Sequence, residues 1–348
     1  MGRIAVTGTA SFLGARMLRR LVESRGGDSV VAIDIAAPPL TLGGIRHRMV
    51  DLTLPGADQR LLDAFQEEQV EGVLHTAFFS DPRRDTAYAH ELESIGTLHL
   101  VAAAAAAGVA HLVMRSFTAL YGAHGTNPNF LSEEHAHAPR ANEGFPWVRD
   151  KAEAEQHALA YAKRYPQMAV TILRMAPLLG PGVHSFYTRL FSHRVVSVVM
   201  GYDPLIQLLH PEDALHAFEK ALAARVGGAF NVVPRSTITL LTALHLADKL
   251  VVAVPHPLAY ALADLGWAAG VGEAPAGFVD YLRYLCVGDG DKAKRTLGFV
   301  PRHGSKAALM DYLRYRYPQR YGVPRRSAEA EGQSAEVASA AETEEAGA

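Results

Sequence analysis

The chain has 348 residues, a formal charge of −2 and 49% hydrophobic residues. That supplies one large core or two smaller ones, and the near-neutral charge removes the electrostatic reason to expect nucleic acid as a partner. The single cysteine, Cys286, excludes an internal disulfide framework and suits a reducing cytoplasm, and Met1-Gly-Arg running straight into an apolar strand reads as a chain without a signal peptide.

Residues 3–34 read as strand, turn, helix and strand. Arg3-Ile-Ala-Val-Thr7 is a short apolar strand. Thr7-Gly8-Thr-Ala-Ser11-Phe12-Leu13-Gly14 is a tight turn that opens a helix over 15–24. Val30-Val-Ala-Ile-Asp34 is a second strand ending in an acid. Glycine permits the turn and lets backbone approach a pyrophosphate. The helix start then presents free N–H groups and a positive dipole end to the phosphates. An acid about 20 residues past the last glycine is spaced to bond a ribose hydroxyl. Together these predict a dinucleotide site.

Further strands are predicted at 47–51, 72–77, 110–115 and 169–174, with another at 229–233. Helices are predicted over 55–69, 85–108 and 147–165. The second of these ends in six consecutive alanines, 102–107, with Gly108 as its C-cap. Strands alternating with helices argue for an α/β fold, a Rossmann-type doubly wound parallel sheet. The apolar stretch 250–271 is interrupted by Pro255, His256, Pro257 and Asp264, which favours a buried helix pair over a membrane span. The last 22 residues hold six glutamates and no lysine or arginine, and residues 324–348 read as a disordered acidic tail.

The turn spacing resembles the T-G-x-x-G-x-x-G of the short-chain dehydrogenase/reductase superfamily, with Ser11 in place of the middle glycine. Later segments resemble its extended, NAD-dependent epimerase/dehydratase branch. Ile95-Gly96-Thr97-Leu98 with the alanine run is similar to "N-V-x-G-T-x-x-L-x-A-A-x-x-A-G-V", and Ser116-Phe-Thr-Ala-Leu-Tyr121-Gly122 to "S-S-x-x-V-Y-G". Leu173-Arg174 through Gly182, Leu209-His210-Pro-Glu-Asp213-Ala214 and Leu297-Gly298-Phe299-Val-Pro301 resemble three further motifs in the family's order. The resemblance runs from Arg3 to about Tyr317.

It implies a nucleotide-binding domain over 1–175 with about 205–235, and a smaller C-terminal substrate-binding region over 176–204 and 236–323. Asp34 implies NAD rather than NADP, because a carboxylate repels a 2′-phosphate. Asp51 and Leu52 match a pair near the adenine. His75, Thr76 and Ala77 match the turn that lines the cofactor, although His75 reads equally as a packed strand-end histidine. A homodimer through helices at 85–107 and 147–165 is implied in the same way. The expected substrate is a hydroxyl- or carbonyl-bearing small molecule, a nucleotide sugar among the options.

Catalysis in the resembled family rests on Tyr-x-x-x-Lys plus a serine or threonine. Here Lys151 holds the lysine position, while Trp147 stands where the tyrosine belongs. An indole N–H donates but does not titrate usefully, and positioned acid–base catalysis contributes roughly 10²–10⁴-fold. Phe117 takes the serine/threonine position, flanked by Ser116 and Thr118, and Glu93 takes the asparagine position. The candidate catalytic residues are therefore Lys151, Ser116, Thr118 and Tyr121, with His124, Arg149 and Asp150 expected nearby. Arg189 reads as either a substrate-anion contact or a surface ion pair. His135 and His137 lack further ligands at characteristic spacing, so no metal site is expected. Two functions stay open at this level: an oxidoreductase or epimerase/dehydratase-like enzyme with an atypical site, or an NAD(H)-binding sensor or scaffold without turnover. A membrane-surface role for 250–271 is a third.

Overall fold

The computed structural model describes residues 2–38, 43–135 and 145–322. His137 and the tail beyond 322 lie outside the described residues.

The chain opens with β1 (Arg3–Thr7), α1 (Phe12–Arg25), β2 (Val30–Asp34), β3 (Arg46–Met49), α2 (Ala57–Glu67) and β4 (Val70–His75). Then come α3 (Thr86–His90), a π-helical turn (Glu91–Ile95), α4 (Gly96–Ala106), β5 (His111–Phe117), α5 (Pro146–Arg164) and β6 (Ala169–Met175). The rest comprises α6 (Phe186–Leu190), β7 (Val195–Val199), β8 (Leu205–Ile206), α7 (Pro211–Ala224), β9 (Gly228–Val232), β10 (Ile238–Thr239), α8 (Leu240–Leu246), β11 (Leu250–Val254) and α9 (His256–Ala268). Three helices close it: α10 (Asp291–Leu297), α11 (Ser305–Arg316) and α12 (Pro318–Tyr321).

Seven strands form one parallel sheet in the order β3-β2-β1-β4-β5-β6-β9. Its inner strands β2, β1, β4, β5 and β6 are largely apolar on both faces because both are covered. Successive side chains alternate between the two: Val31 and Ile33 join Leu61 and Phe65 of α2 and Leu100 of α4 in one core. Val30 and Ala32 join Met17 of α1 and Phe218 of α7 in the other. The α/β doubly wound fold expected from the alternation is the fold observed. The β3 edge is blunted by charge: Arg46 and Arg48 bond the carboxylate of Glu68, whose side chain is 2% exposed. Smaller pairings, β7 with β11 and β8 with β10, lie outside the main sheet.

Two expectations need correction. Residues 85–108 are not one uniform helix, since a π turn at Glu91–Ile95 divides α3 from α4. Residues 250–271 are not a buried helix pair. They form the edge strand β11 and a single helix, α9, none of whose residues is buried. The apolar composition that suggested burial is real, but Leu258, Leu262 and Leu265 are 50%, 51% and 67% exposed. No helix among the described residues is long and apolar enough to cross a membrane.

Candidate nucleotide and substrate site

Sheet order reverses between β1 and β4, and in open α/β sheets the ligand crevice lies beyond the carboxyl ends of the strands at such a switch point. The turn after β1 opens there. Gly8 has φ +75°, and a Cβ on it would meet the Ala77 nitrogen at 2.6 Å. A Cβ on Gly14 would collide with the Gly8 carbonyl oxygen. Both positions therefore exclude any side chain, and the packing of α1 against the turn depends on them. Ser11 needs no such freedom. Its φ is −74°, and its hydroxyl caps α1 by accepting from the Gly14 N–H at 3.1 Å. The missing glycine thus costs no backbone strain, and the serine satisfies one of the open donors at the helix start.

Phe12 packs under the Arg16 guanidinium at 4.4 Å, and Leu13 is buried in the core beneath the turn. Asp34 accepts from the Ala10 N–H at 2.8 Å and the Ile35 N–H at 2.7 Å, tying the end of β2 to the glycine turn. Asp51 is bonded to the backbone and hydroxyl of Thr53, and Leu52 is buried. Thr76 donates to the Thr7 carbonyl at 2.7 Å, holding the β4 turn against β1 beside Ala77. His75 is fully enclosed between the hydroxyls of Thr7 at 2.7 Å and Thr97 at 3.1 Å. Burial pulls its pKa down to about 3. Of the two readings for His75, this geometry is that of a packed, neutral histidine joining β1, β4 and α4.

The catalytic candidates are tied into buried networks. Lys151 is 1% exposed, and its Nζ donates to both oxygens of Glu93 at 2.7 and 2.6 Å. Glu93 also accepts from the Phe79 N–H at 2.6 Å. The π turn carries Glu93 into this position. The ammonium also lies 4.8 Å from the Phe117 ring and 4.7 Å from the Trp147 ring. Burial lowers the pKa of Lys151 and raises that of Glu93, each opposed by the partner's charge.

Trp147 directs its indole N–H at the Phe79 carbonyl, 3.4 Å away, and packs against Phe117, Phe145 and Phe278. Ser116 donates to Glu155, which also binds Arg174 at 2.7 Å. Tyr121 donates to Asn231 Oδ1 at 2.8 Å and accepts from Arg174 at 3.0 Å, and burial pushes its pKa up to about 12. Thr118 points its hydroxyl toward the Met175 carbonyl at 3.5 Å and lines a small cavity with Pro177, Tyr187 and Tyr281. His124 is half-buried in the following loop. Arg149 pairs with Asp150 at 3.0 Å, and Asp150, 1% exposed, is also bonded to His90. Arg189 is an ion-pair partner of Asp81 at 2.8 Å and of Glu273. His135 makes only local contacts with Ser132 among the described residues.

A second cleft opens beside the first beyond β4, β5 and β6. Phe117, Trp147, Phe186, Tyr187 and Phe278 line it, together with Ser80, Asp81 and Arg115. Tyr187 and Ala119 border both cavities. Arg115 was not singled out in the sequence, where it reads as the end of an apolar strand. Arg115 and Phe117, two apart on β5, face the same side, but that spacing alone does not say which side faces a cleft.

A model of the NAD dependent epimerase/dehydratase family matches residues 4–232. An uncharacterized protein of Mycobacterium tuberculosis is 31% identical over 319 residues, which cover 90% of this chain and 84% of that protein. Sterol demethylase protein B of Methylococcus capsulatus is 31% identical over 185 residues, 51% of each chain. Among solved structures, the dTDP-glucose 4,6-dehydratase DesIV of Streptomyces venezuelae, with NAD and TYD bound, superposes with a TM-score of 0.68. It is 22% identical, over 91% of this chain and 97% of that one. UDP-glucose 4-epimerase of Thermotoga maritima, with UDP-glucose, gives a TM-score of 0.67 at 18% identity, over 91% and 99%. The match of the family model to most of the sheet-forming chain is decisive: this protein belongs to the NAD dependent epimerase/dehydratase family.

Proposed function

We propose that the protein binds NAD and acts as an oxidoreductase of epimerase/dehydratase type on a hydroxyl- or carbonyl-bearing small molecule, without the family's tyrosine. The observation that carries this reading is the turn after β1, whose Gly8 and Gly14 admit backbone and nothing larger, on a sheet whose β4, β5 and β6 ends carry an aromatic cleft. The chain's own residues fit the cofactor. The start of α1 offers N–H groups to a pyrophosphate, and Asp34, at the end of β2 and tied to the glycine turn, is the acid placed for a ribose hydroxyl. Bound NAD would supply the hydride acceptor. Solved relatives of the same fold carry NAD, as their descriptions state.

The active site is atypical in this reading. Trp147 and Phe117 wall the cleft with aromatic surface, and Lys151 is engaged by Glu93 rather than by a phenol. Nucleotide sugars are the ligands of several structural relatives, and a sterol-processing name attaches to one sequence relative. The aromatic lining favours the less polar of these classes. The test is calorimetry with NAD and NADH, followed by nicotinamide absorbance on a panel of alcohols, ketones, sterols and nucleotide sugars. Gly14→Ala serves as the cofactor-null control. Saturable NAD binding with turnover above that control is expected, and absence of NAD binding sinks the proposal.

One observation favours a second reading, an NAD(H)-binding protein without turnover. Lys151 is sealed beneath the Trp147 indole and paired with Glu93. NAD binding with no conversion of any substrate in the panel would support it. Turnover appearing only in Trp147→Tyr would point the same way.

A further inference from the structure

We propose that Arg115 receives the carboxylate of an otherwise apolar substrate in the aromatic cleft. This names a substrate class and rests on the proposed function above. Arg115 is 4% exposed and lines the cleft with Phe117, Trp147, Phe186 and Phe278. Its hydrogen-bond partners are neutral: Nη1 donates to the Phe78 carbonyl at 3.3 Å, and Nη2 donates to the Ser80 hydroxyl at 3.0 Å. Its Nε is buried with no partner at all.

The neighbouring carboxylates are already engaged. Glu93 is held by Lys151 at 2.6 Å, and Asp81 by Arg189 at 2.8 Å and by the Phe186 N–H at 2.8 Å. Among the described residues no carboxylate forms an ion pair with Arg115, and Glu93 and Asp81 act on it only at longer range. Burial lowers the Arg115 pKa only to about 10, so the guanidinium stays charged at neutral pH.

A buried cation without an anion is costly, and a buried orphan donor adds to the cost. Both are relieved by one ligand group that is anionic, compact and able to accept two parallel N–H bonds. A carboxylate meets that description, and guanidinium forks bind it side-on. The rest of the wall, being aromatic, calls for an apolar body attached to that group.

The experiment compares 1-naphthoate with 1-naphthylmethanol by calorimetry, on the full chain with and without saturating NAD. Wild type should bind the carboxylate at least about tenfold more tightly than the alcohol, a difference of about 1.4 kcal/mol. Arg115→Gln should abolish that preference while leaving alcohol affinity within a few-fold, and Arg115→Lys should retain part of it. No preference in wild type overturns the proposal and requires no variant to fold. An unchanged preference in Arg115→Gln, with thermal melting confirming a folded protein, overturns it as well and leaves Arg115 as a clamp on residues 78–80. Tighter binding of 1-naphthyl phosphate than of the carboxylate overturns the assignment of the anion. NAD binding is read separately in the same titrations. Its failure with the carboxylate preference intact would sink the cofactor reading and not this one.

Discussion

Lys151 and Glu93 are each about 1% exposed, so desolvation governs the pair before attraction does. Burial disfavours both charges, raising Glu93 and lowering Lys151, and each shift is opposed by the partner 2.6 Å away. Removing one partner strands the other charge in a wall of Phe117 and Trp147. Glu93→Gln is expected to destabilise the protein by about 3–5 kcal/mol, measured by urea unfolding. The double variant Glu93→Leu/Lys151→Met should lose less than the sum of the two single variants, because it leaves no stranded charge. A strictly additive double variant would mean that the ion pair does not couple the π turn to α5. The same logic explains why the sequence disclosed only half of the site. Trp147, Phe117 and Glu93 were legible as departures from a motif, one position at a time. That the three meet around one ammonium depends on the π turn, and nothing in the order of residues 91–95 announces it. Arg115 was hidden for a simpler reason: a lone charge ending an apolar strand looks the same whether it faces water or a cleft.

At the scale of elements, periodicity and composition identified the seven strands of the main sheet and the helices over 15–24, 55–69, 85–108 and 147–165 to within a few residues, but not α7 between β6 and β9. They failed where apolar composition was taken to mean burial. Leu258, Leu262 and Leu265 follow helical spacing along α9, which in most helices marks the face turned to the core. Here that stripe is the exposed one. Residues of α9 face the body of the protein through other groups: Tyr260 bonds Asp280, Asp264 accepts from the Ala276 N–H, and the Trp267 carbonyl accepts from Arg84. The helix is held by polar contacts at its flanks while its leucines stay in solvent. Leu262→Lys should consequently change unfolding free energy by no more than about 0.5 kcal/mol, the range of ordinary surface substitutions. A buried leucine at that position would cost about 2–5 kcal/mol when truncated to alanine. A loss in that range for Leu262→Ala would restore the expectation of a buried helix.

Over the whole molecule, the described residues include His75, His111 and His210, buried histidines whose pKa values burial pulls well below the ordinary value. His75, His111 and His210 are 0%, 2% and 6% exposed, and burial lowers their pKa values from 6.5 to about 3, 4 and 4. His75 links β1, β4 and α4. His111 joins β5 to β6 through the Thr171 hydroxyl at 2.8 Å, and His210 caps α7. A base whose folded pKa is depressed takes up its proton more readily when unfolded. Its contribution to stability is therefore complete above about pH 6.5 and is withdrawn as pH falls toward the folded value. His303 runs the other way. Its hydrogen bond to Asp213 raises its pKa, so its contribution is present below pH 6.5 and is lost as pH rises through the folded value. Glu93, raised by burial, also favours the acid side. Asp213 and Glu71 have depressed pKa values, so their contributions begin to fall only near their ordinary values of 3.8 and 4.5. The window from pH 6.5 to 5 isolates the histidines from those two carboxylates. Across it each neutral histidine withdraws at most about 2 kcal/mol, from about 1.4 kcal/mol per pH unit. The depressed histidines, with His157 also lowered by burial, outnumber His303 and Glu93, so urea midpoints should fall as the solution is acidified through this window. The decisive measurement is the difference in slope between wild type and His111→Gln, which cancels every group the substitution leaves untouched. A shallower pH dependence in the variant is expected, and identical slopes would mean that His111 is protonated in the folded protein at pH 5.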